Sequence, residues 1–239
     1  MAENACRAIA WAKHPVIPVV KGESKPLKGE YSGFSGIEVH GRDGLGNVGL
    51  PPLTEEERKP LKHDYSSAAQ FIAQRAAESP GLYTLVTLGP LTNISRALDI
   101  DPATARNVKR IVSMGGSFMF RGNISPSAEA NIGNDPEAAA HVFKSFPDIT
   151  LAHLGVTHQL DLVQLLQRLR GLNPAVDFIQ AITAHYIALL TSWGDLPIAI
   201  HDSCAVMAIV KYIHIYLCVC VCVCMCTMEI ISPSCATVI

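Results

Sequence analysis

The sequence predicts an α/β fold: an open, mainly parallel (mixed) sheet with helices on both faces. Three observations predict it. Short β-branched runs alternate with helical stretches along the chain, the pattern of a sheet covered on both sides. A chain of 239 residues, 49% of them hydrophobic, has the length and apolar content for one such domain. Polar and glycine signals gather at the ends of predicted strands, at Leu88-Gly89, Met114-Gly115-Gly116 and His201-Asp202. Open α/β sheets bind ligands beyond those strand ends.

The elements follow in order. Residues 2–13 carry a helical period, and PVIPVV (15–20) reads as a buried strand. Residues 21–64 are rich in Gly, Pro and charge, long for a loop, and loops of that length tend to be functional. A helix is predicted over 66–78, opened by Ser, and a strand over 82–88. LTNISRALDI and DPATARNV read as short helices, the second opened by Asp101-Pro102. RIVSM (110–114) is a strand, and 117–134 a polar loop. The next helix has Asp135 as N-cap and Pro136 in its first turn. ITLAHL is a strand, 175–192 a long helix, and PIAI a strand running into a helix at HDSCAVMAIV.

From Tyr212 the pattern breaks into YIHIYLCVCVCVCMCTMEIISPSCATVI. Strict Cys-Val alternation is what a translated TG dinucleotide repeat gives. A strand with one thiol face, a thiolate metal cluster and a membrane span also fit the residue types, though the apolar stretch is slightly short and contains His214. The expected organisation is a domain over 1–210 and a low-complexity Cys/Val tail over 211–239 outside the fold.

A net charge of −2 with scattered Lys and Arg argues against a nucleic-acid or membrane-surface partner. Six of the eight cysteines fall at or after Cys218, so the body is nearly cysteine-free, compatible with a reducing compartment. The amphipathic N-terminus does not read as a signal peptide. The expected location is therefore cytoplasmic, and the sequons at Asn93 and Asn123 are expected to stay unglycosylated.

Asn123, Glu129 and Asn131 lie within nine positions of one loop anchored by Gly115, Gly116 and Pro126. Amides and carboxylates at that density can grip several sugar hydroxyls. On spacing alone a polar surface loop closed by the Asp135 cap fits better. His201-Asp202 at a strand end pairs an acid with a metal-ligand neighbour, or is simply a helix start. His40 in its glycine-rich loop polarises a ligand or sits in a turn.

Taken together, VHGRDGLGN, TLGPLTNISRAL, RIVSMGGSFMFRGNISPSAEANIGNDPEAAAHVF and IAIHDSCAV resemble, in order and spacing, the inosine–uridine preferring nucleoside hydrolases over about residues 2–210. The resemblance implies hydrolysis of the N-glycosidic bond of a ribonucleoside to ribose and free base, in nucleoside catabolism and salvage. It implies a calcium ion held by aspartates, with Asp202 and the backbone carbonyl of Leu88 as ligands. It implies that Asn123, Glu129 and Asn131 hold ribose hydroxyls and that Met114 lines the ribose pocket. His40 would face the base, and His201 would be the catalytic acid for the leaving base. It also implies a homo-oligomer.

The chain departs from the family in one respect. It shows no DTDPGxDD-type turn, so an incomplete copy is expected, lacking the first strand, most of the calcium shell and the presumed base. This exact chain is then expected to be inactive or poorly folded. The competing expectations are a non-catalytic nucleoside- or ribose-binding protein, a partner subunit for complete family members, and a membrane-tethered variant.

Overall fold

The computed structural model describes residues 1–13, 17–30, 36–62, 65–194, 197–209, 229–231 and 236–238. Helix α1 (Ala2–Trp11) buries Ala5, Cys6 and Ile9 against the short strand β1 (Val19–Val20) and Leu53. The glycine-rich region contains α2 (Gly36–His40), α3 (Glu55–Arg58) and β2 (Leu61–Lys62), which pairs parallel with β1 in a sheet of its own. Of the strand expected over 15–20, Pro15 and Val16 lie outside the described residues. The long loop expected over 21–64 is thus partly ordered, and Thr54 and Glu57 close a reciprocal capping box that starts α3.

The main sheet is built by β3 (Thr84–Thr87), β4 (Arg110–Met114) and β5 (Ile149–Ala152), in the order β5-β4-β3 and all parallel. Helices α4 (Ala68–Glu78), α5 (Thr92–Ile100) and α6 (Thr104–Asn107) lie around β3 and before β4 in sequence. Helices α7 (Ala130–Gly133) and α8 (Pro136–Ser145) lie between β4 and β5. Alternation along the strands divides the core. Leu85 and Ile111 face Phe71, Ile72, Ile94 and Val142 of α4, α5 and α8. Val86, Val112 and Met114 face the other way, toward Cys204, Ala205 and Val206 of a later helix. Helices therefore cover both faces, as predicted.

Beyond β5 come α9 (Leu154–Thr157), α10 (Leu162–Leu169), the long α11 (Pro174–Trp193) and α12 (His201–Met207). The sequence reading did not foresee α9 and α10. Asn173 caps α11, Pro174 opens it, and Gly194 ends it in the left-handed conformation. Among the described residues α11 is long and apolar enough to span a bilayer. Its Val176, Ile179, Ile182, Tyr186 and Leu190 are nonetheless buried against α10, Leu45, Ile198 and Ile200, forming a second core.

One expectation is corrected. PIAI is not a strand of the sheet: Ala199 makes one isolated bridge to Asp161, and Ile198 and Ile200 fill the second core beneath α11. Burial rather than sheet pairing accounts for those apolar residues. Near the C-terminus β6 (Glu229–Ile231) pairs antiparallel with β3, and β7 (Ala236–Val238) pairs with β6. These six residues make the sheet mixed. The Cys/Val run lies outside the described residues.

Asp135, fully buried, connects the glycine-rich region to the main sheet's helices. Its carboxylate caps α8 at Ala138 N and accepts from Thr92 Oγ1 (2.6 Å) and Leu27 N (2.9 Å).

Candidate active site

Leu88 follows β3 and Met114 ends β4, so both backbone carbonyls lie at the C-terminal ends of adjacent parallel strands. Asn131 joins them. Its Nδ2 donates to Met114 O at 3.1 Å and to Leu88 O at 3.4 Å, and lies 3.2 Å from Met114 Sδ. Glu129 fixes Asn131. As N-cap of α7 it is almost fully buried, and its carboxylate accepts from three backbone amides: Asn131 N (2.8 Å), Gly116 N (2.9 Å) and Ile132 N (3.1 Å). Asn123 closes the loop from the other side, its Oδ1 accepting from Ala130 N at 2.8 Å.

These bonds determine what remains for a ligand. A carboxylate offers about four lone-pair sites, so Glu129 keeps about one. Asn131 spends its amide protons on the strand ends and keeps Oδ1 as an acceptor. Asn123 spends Oδ1 and keeps Nδ2 as a donor. Mixed donors and acceptors at fixed positions suit vicinal hydroxyls.

The second half of the site sits where α12 starts. His201, Asp202 and Ser203 line a pocket with Leu162, Thr183, Tyr186, Ala199 and Ile200, about 370 Å³ including its open mouth. Tyr186 donates from its hydroxyl to Ala199 O (3.2 Å), holding the segment that delivers His201. His40, the last residue of α2, stacks on Tyr186 with ring centroids 5.9 Å apart. The glycine-rich loop after it is clamped to α11. At Gly46, whose φ is +73°, a Cβ would stand 2.5 Å from Ile182 O.

Burial pushes the His201 imidazole down to about 4, with the nearby His158 and His40 adding repulsion. His40 is also lowered, first by burial and then by His185. His201 Nδ1 lies 2.7 Å from Thr157 Oγ1, and its ring packs edge-on against His158 at 5.2 Å. The Phe120 ring lies 5.0 Å from that of His158.

The structure brings Leu88, Met114, Asn123, Glu129 and Asn131 into one group through the loop's hydrogen bonds, and His201 and Asp202 into a pocket whose Tyr186 stacks on His40. Packing of α12 on β3 and β4 places both groups at one end of the sheet. Sequence reasoning missed Tyr186, Thr157 and His158. The last two follow β5, whose end carries the same positional signal as those of β3 and β4.

The family model described as inosine-uridine preferring nucleoside hydrolase matches residues 1–232. The chain belongs to this family. It is 43% identical over 159 residues to "Uridine nucleosidase 1" of Arabidopsis thaliana, covering 66% of this chain and 45% of that protein. It is 35% identical over 209 residues to "Probable uridine nucleosidase 2" of the same plant, covering 86% and 63%. Among solved structures, a plant nucleoside hydrolase superposes with TM-score 0.77 at 35% identity, over 87% of this chain and 65% of that one. The purine-preferring ribonucleoside hydrolase of Gardnerella vaginalis superposes with TM-score 0.76 at 30% identity, over 88% and 66%. The chain spans about half the length of the first of these curated relatives.

Nucleoside hydrolases are commonly metal-dependent, so the described residues can be tested as a metal site. No group of three or more His, Cys, Asp or Glu side chains converges among them. Asp202 and the Leu88 carbonyl supply two kinds of oxygen, and the latter already accepts from Asn131. Calcium takes about six to eight oxygens. The described residues alone do not fit the ion.

Proposed function

We propose that this chain carries the ribonucleoside site of a nucleoside hydrolase, whose reaction is cleavage of the N-glycosidic bond to ribose and free base. The observation that carries the reading is Asn131, tied to two adjacent strand ends and held by a buried Glu129. Burying a carboxylate to fix this loop is costly unless the side chains it positions have a task.

Asn123, Glu129 and Asn131 hold ribose hydroxyls, with Met114 forming the pocket wall beneath them. His40 faces the base. In the family's reaction His201 would be the acid for the leaving base: its ring N–H hydrogen-bonds the base as the C1′–N bond breaks, water adds at C1′, and the water's proton reaches the base through solvent. A positioned acid of this kind contributes about 10²–10⁴-fold. Calcium is the ion the family resemblance implies, with Asp202 and the Leu88 carbonyl among its ligands. The described residues supply too few donors to hold it. The same shortage favours a second reading: this chain binds ribonucleosides without turning them over.

Calorimetric titration of the purified 239-residue chain with uridine, inosine and ribose tests the proposal. Binding is expected, weakened at least about tenfold by Asn131→Ala, a loss of about 1.4 kcal/mol. A folded chain that binds none of the three removes the reading. Ribose release in calcium is expected to be absent, and release that depends on calcium would overturn the binding-only reading.

A further inference from the structure

The functional reading gives His201 a hydrogen bond to donate, and a neutral imidazole has only one N–H, on either Nδ1 or Nε2. Three contacts decide which. Leu154 O accepts from the backbone N–H of His158 at 3.0 Å and lies 2.9 Å from His158 Nδ1. A carbonyl cannot donate, so His158 Nδ1 carries a hydrogen, and both lone pairs of Leu154 O are then in use. Thr157 Oγ1 lies 3.3 Å from that same oxygen, the longest of the three approaches, but 2.7 Å from His201 Nδ1. Thr157 is fully buried in α9, which packs on α12. Its hydroxyl hydrogen has two places to go, one crowded and distant, the other close.

We infer that Thr157 is a positioning residue for His201: its hydroxyl donates to Nδ1, which fixes the ring proton on Nε2. Nε2–H is then left to the pocket that His201 lines with Tyr186, Ile200 and Asp202. A ring held the other way would present a lone pair to the leaving base and could not donate a hydrogen bond to it. The assignment deepens the proposed function and rests on it for its purpose, but not for its observation. The tautomer is read without substrate, whereas the functional reading stands or falls on nucleoside binding.

The test is long-range ¹H–¹⁵N correlation of the ¹⁵N-histidine-labelled chain at neutral pH, with His201 assigned by the signal lost in His201→Gln. The Nε2–H pattern is expected for His201 in the wild-type chain. It is expected to survive in Thr157→Ser, which keeps the hydroxyl. In Thr157→Val, nearly isosteric but without the hydroxyl, a mixed or Nδ1–H pattern is expected. An Nδ1–H pattern in the wild-type chain overturns the inference, and so does an unchanged Nε2–H pattern in Thr157→Val. The wild-type spectrum decides even if the valine variant fails to fold. A merely structural threonine would alter stability in these variants without moving the ring proton.

Discussion

At the scale of single residues, the site is a set of side chains whose hydrogen bonds are mostly spent before a ligand arrives. Glu129 illustrates the logic: three backbone amides hold a carboxylate that is almost fully buried, and about one lone pair remains. His201 has a thermodynamic consequence. In the unfolded chain it titrates near its ordinary value of 6.5, but in the fold burial lowers that to about 4. Between those values the unfolded chain binds the proton and the folded chain does not. Stability from this group is therefore complete above about pH 6.5 and lost progressively as pH falls toward 4. A shift of that size corresponds to about 3 kcal/mol. Urea unfolding followed from pH 7 to pH 4 should show the midpoint falling. His201→Gln, which cannot titrate, should make the fall shallower, leaving the smaller contribution of His40. A variant whose midpoint falls as steeply as the wild type would show that His201 is charged in the fold at mildly acid pH.

At the scale of elements, the loop between β4 and α7 owes its shape to backbone packed on backbone. Gly122 lies where a Cβ would stand 2.3 Å from Ala128 O and 2.4 Å from Ser125 O. Its amide bonds Pro126 O, and the amides of Asn123 and Ile124 both reach Ala128 O. Gly122→Ala must open this turn and displace Asn123 and Glu129, while the sheet below is untouched. Nucleoside affinity is expected to fall at least about tenfold with a thermal midpoint lowered by only a few degrees; unchanged affinity would detach the loop from binding. The elements best legible in the sequence were those with a strong local signature. RIVSM coincides with β4, the Asp135-Pro136 pair caps α8, and the long helix ends within a residue or two of its expected bounds. PIAI misled because a buried extended segment and a buried strand share a composition, and only pairing separates them. Helix α10 went unseen although Asp161 caps it and Leu162, Leu166 and Leu169 line its buried side. In the site, the loop residues were legible through a motif. Tyr186, Thr157 and His158 were not, because the contacts that matter for them join α11, α9 and α12 across more than ten positions of sequence.

At the scale of the molecule, two cores meet around the site. The sheet with α4, α5 and α8 carries the loop between β4 and α7, and the α10–α11 core carries His40 and the segment that delivers His201. Helix α12 spans them: Ile200 before it is buried in the second core, and Cys204, Ala205 and Val206 pack on β3 and β4. A metal at this junction would clamp the cores together and register as stability. Binding to the folded state alone adds RT ln(1 + [L]/Kd), about 2.7 kcal/mol when the ligand is at a hundred times Kd. That would be several degrees in the midpoint for a domain of this size. The described residues offer Asp202 and one carbonyl already bonded to Asn131, far from the shell calcium requires. Scanning calorimetry of the 239-residue chain with about 1 mM calcium and with a chelator should therefore give the same midpoint within about a degree. A calcium-dependent rise of several degrees would mean that donors outside the described residues complete the shell, and the chain would then have the means for catalysis as well as for binding.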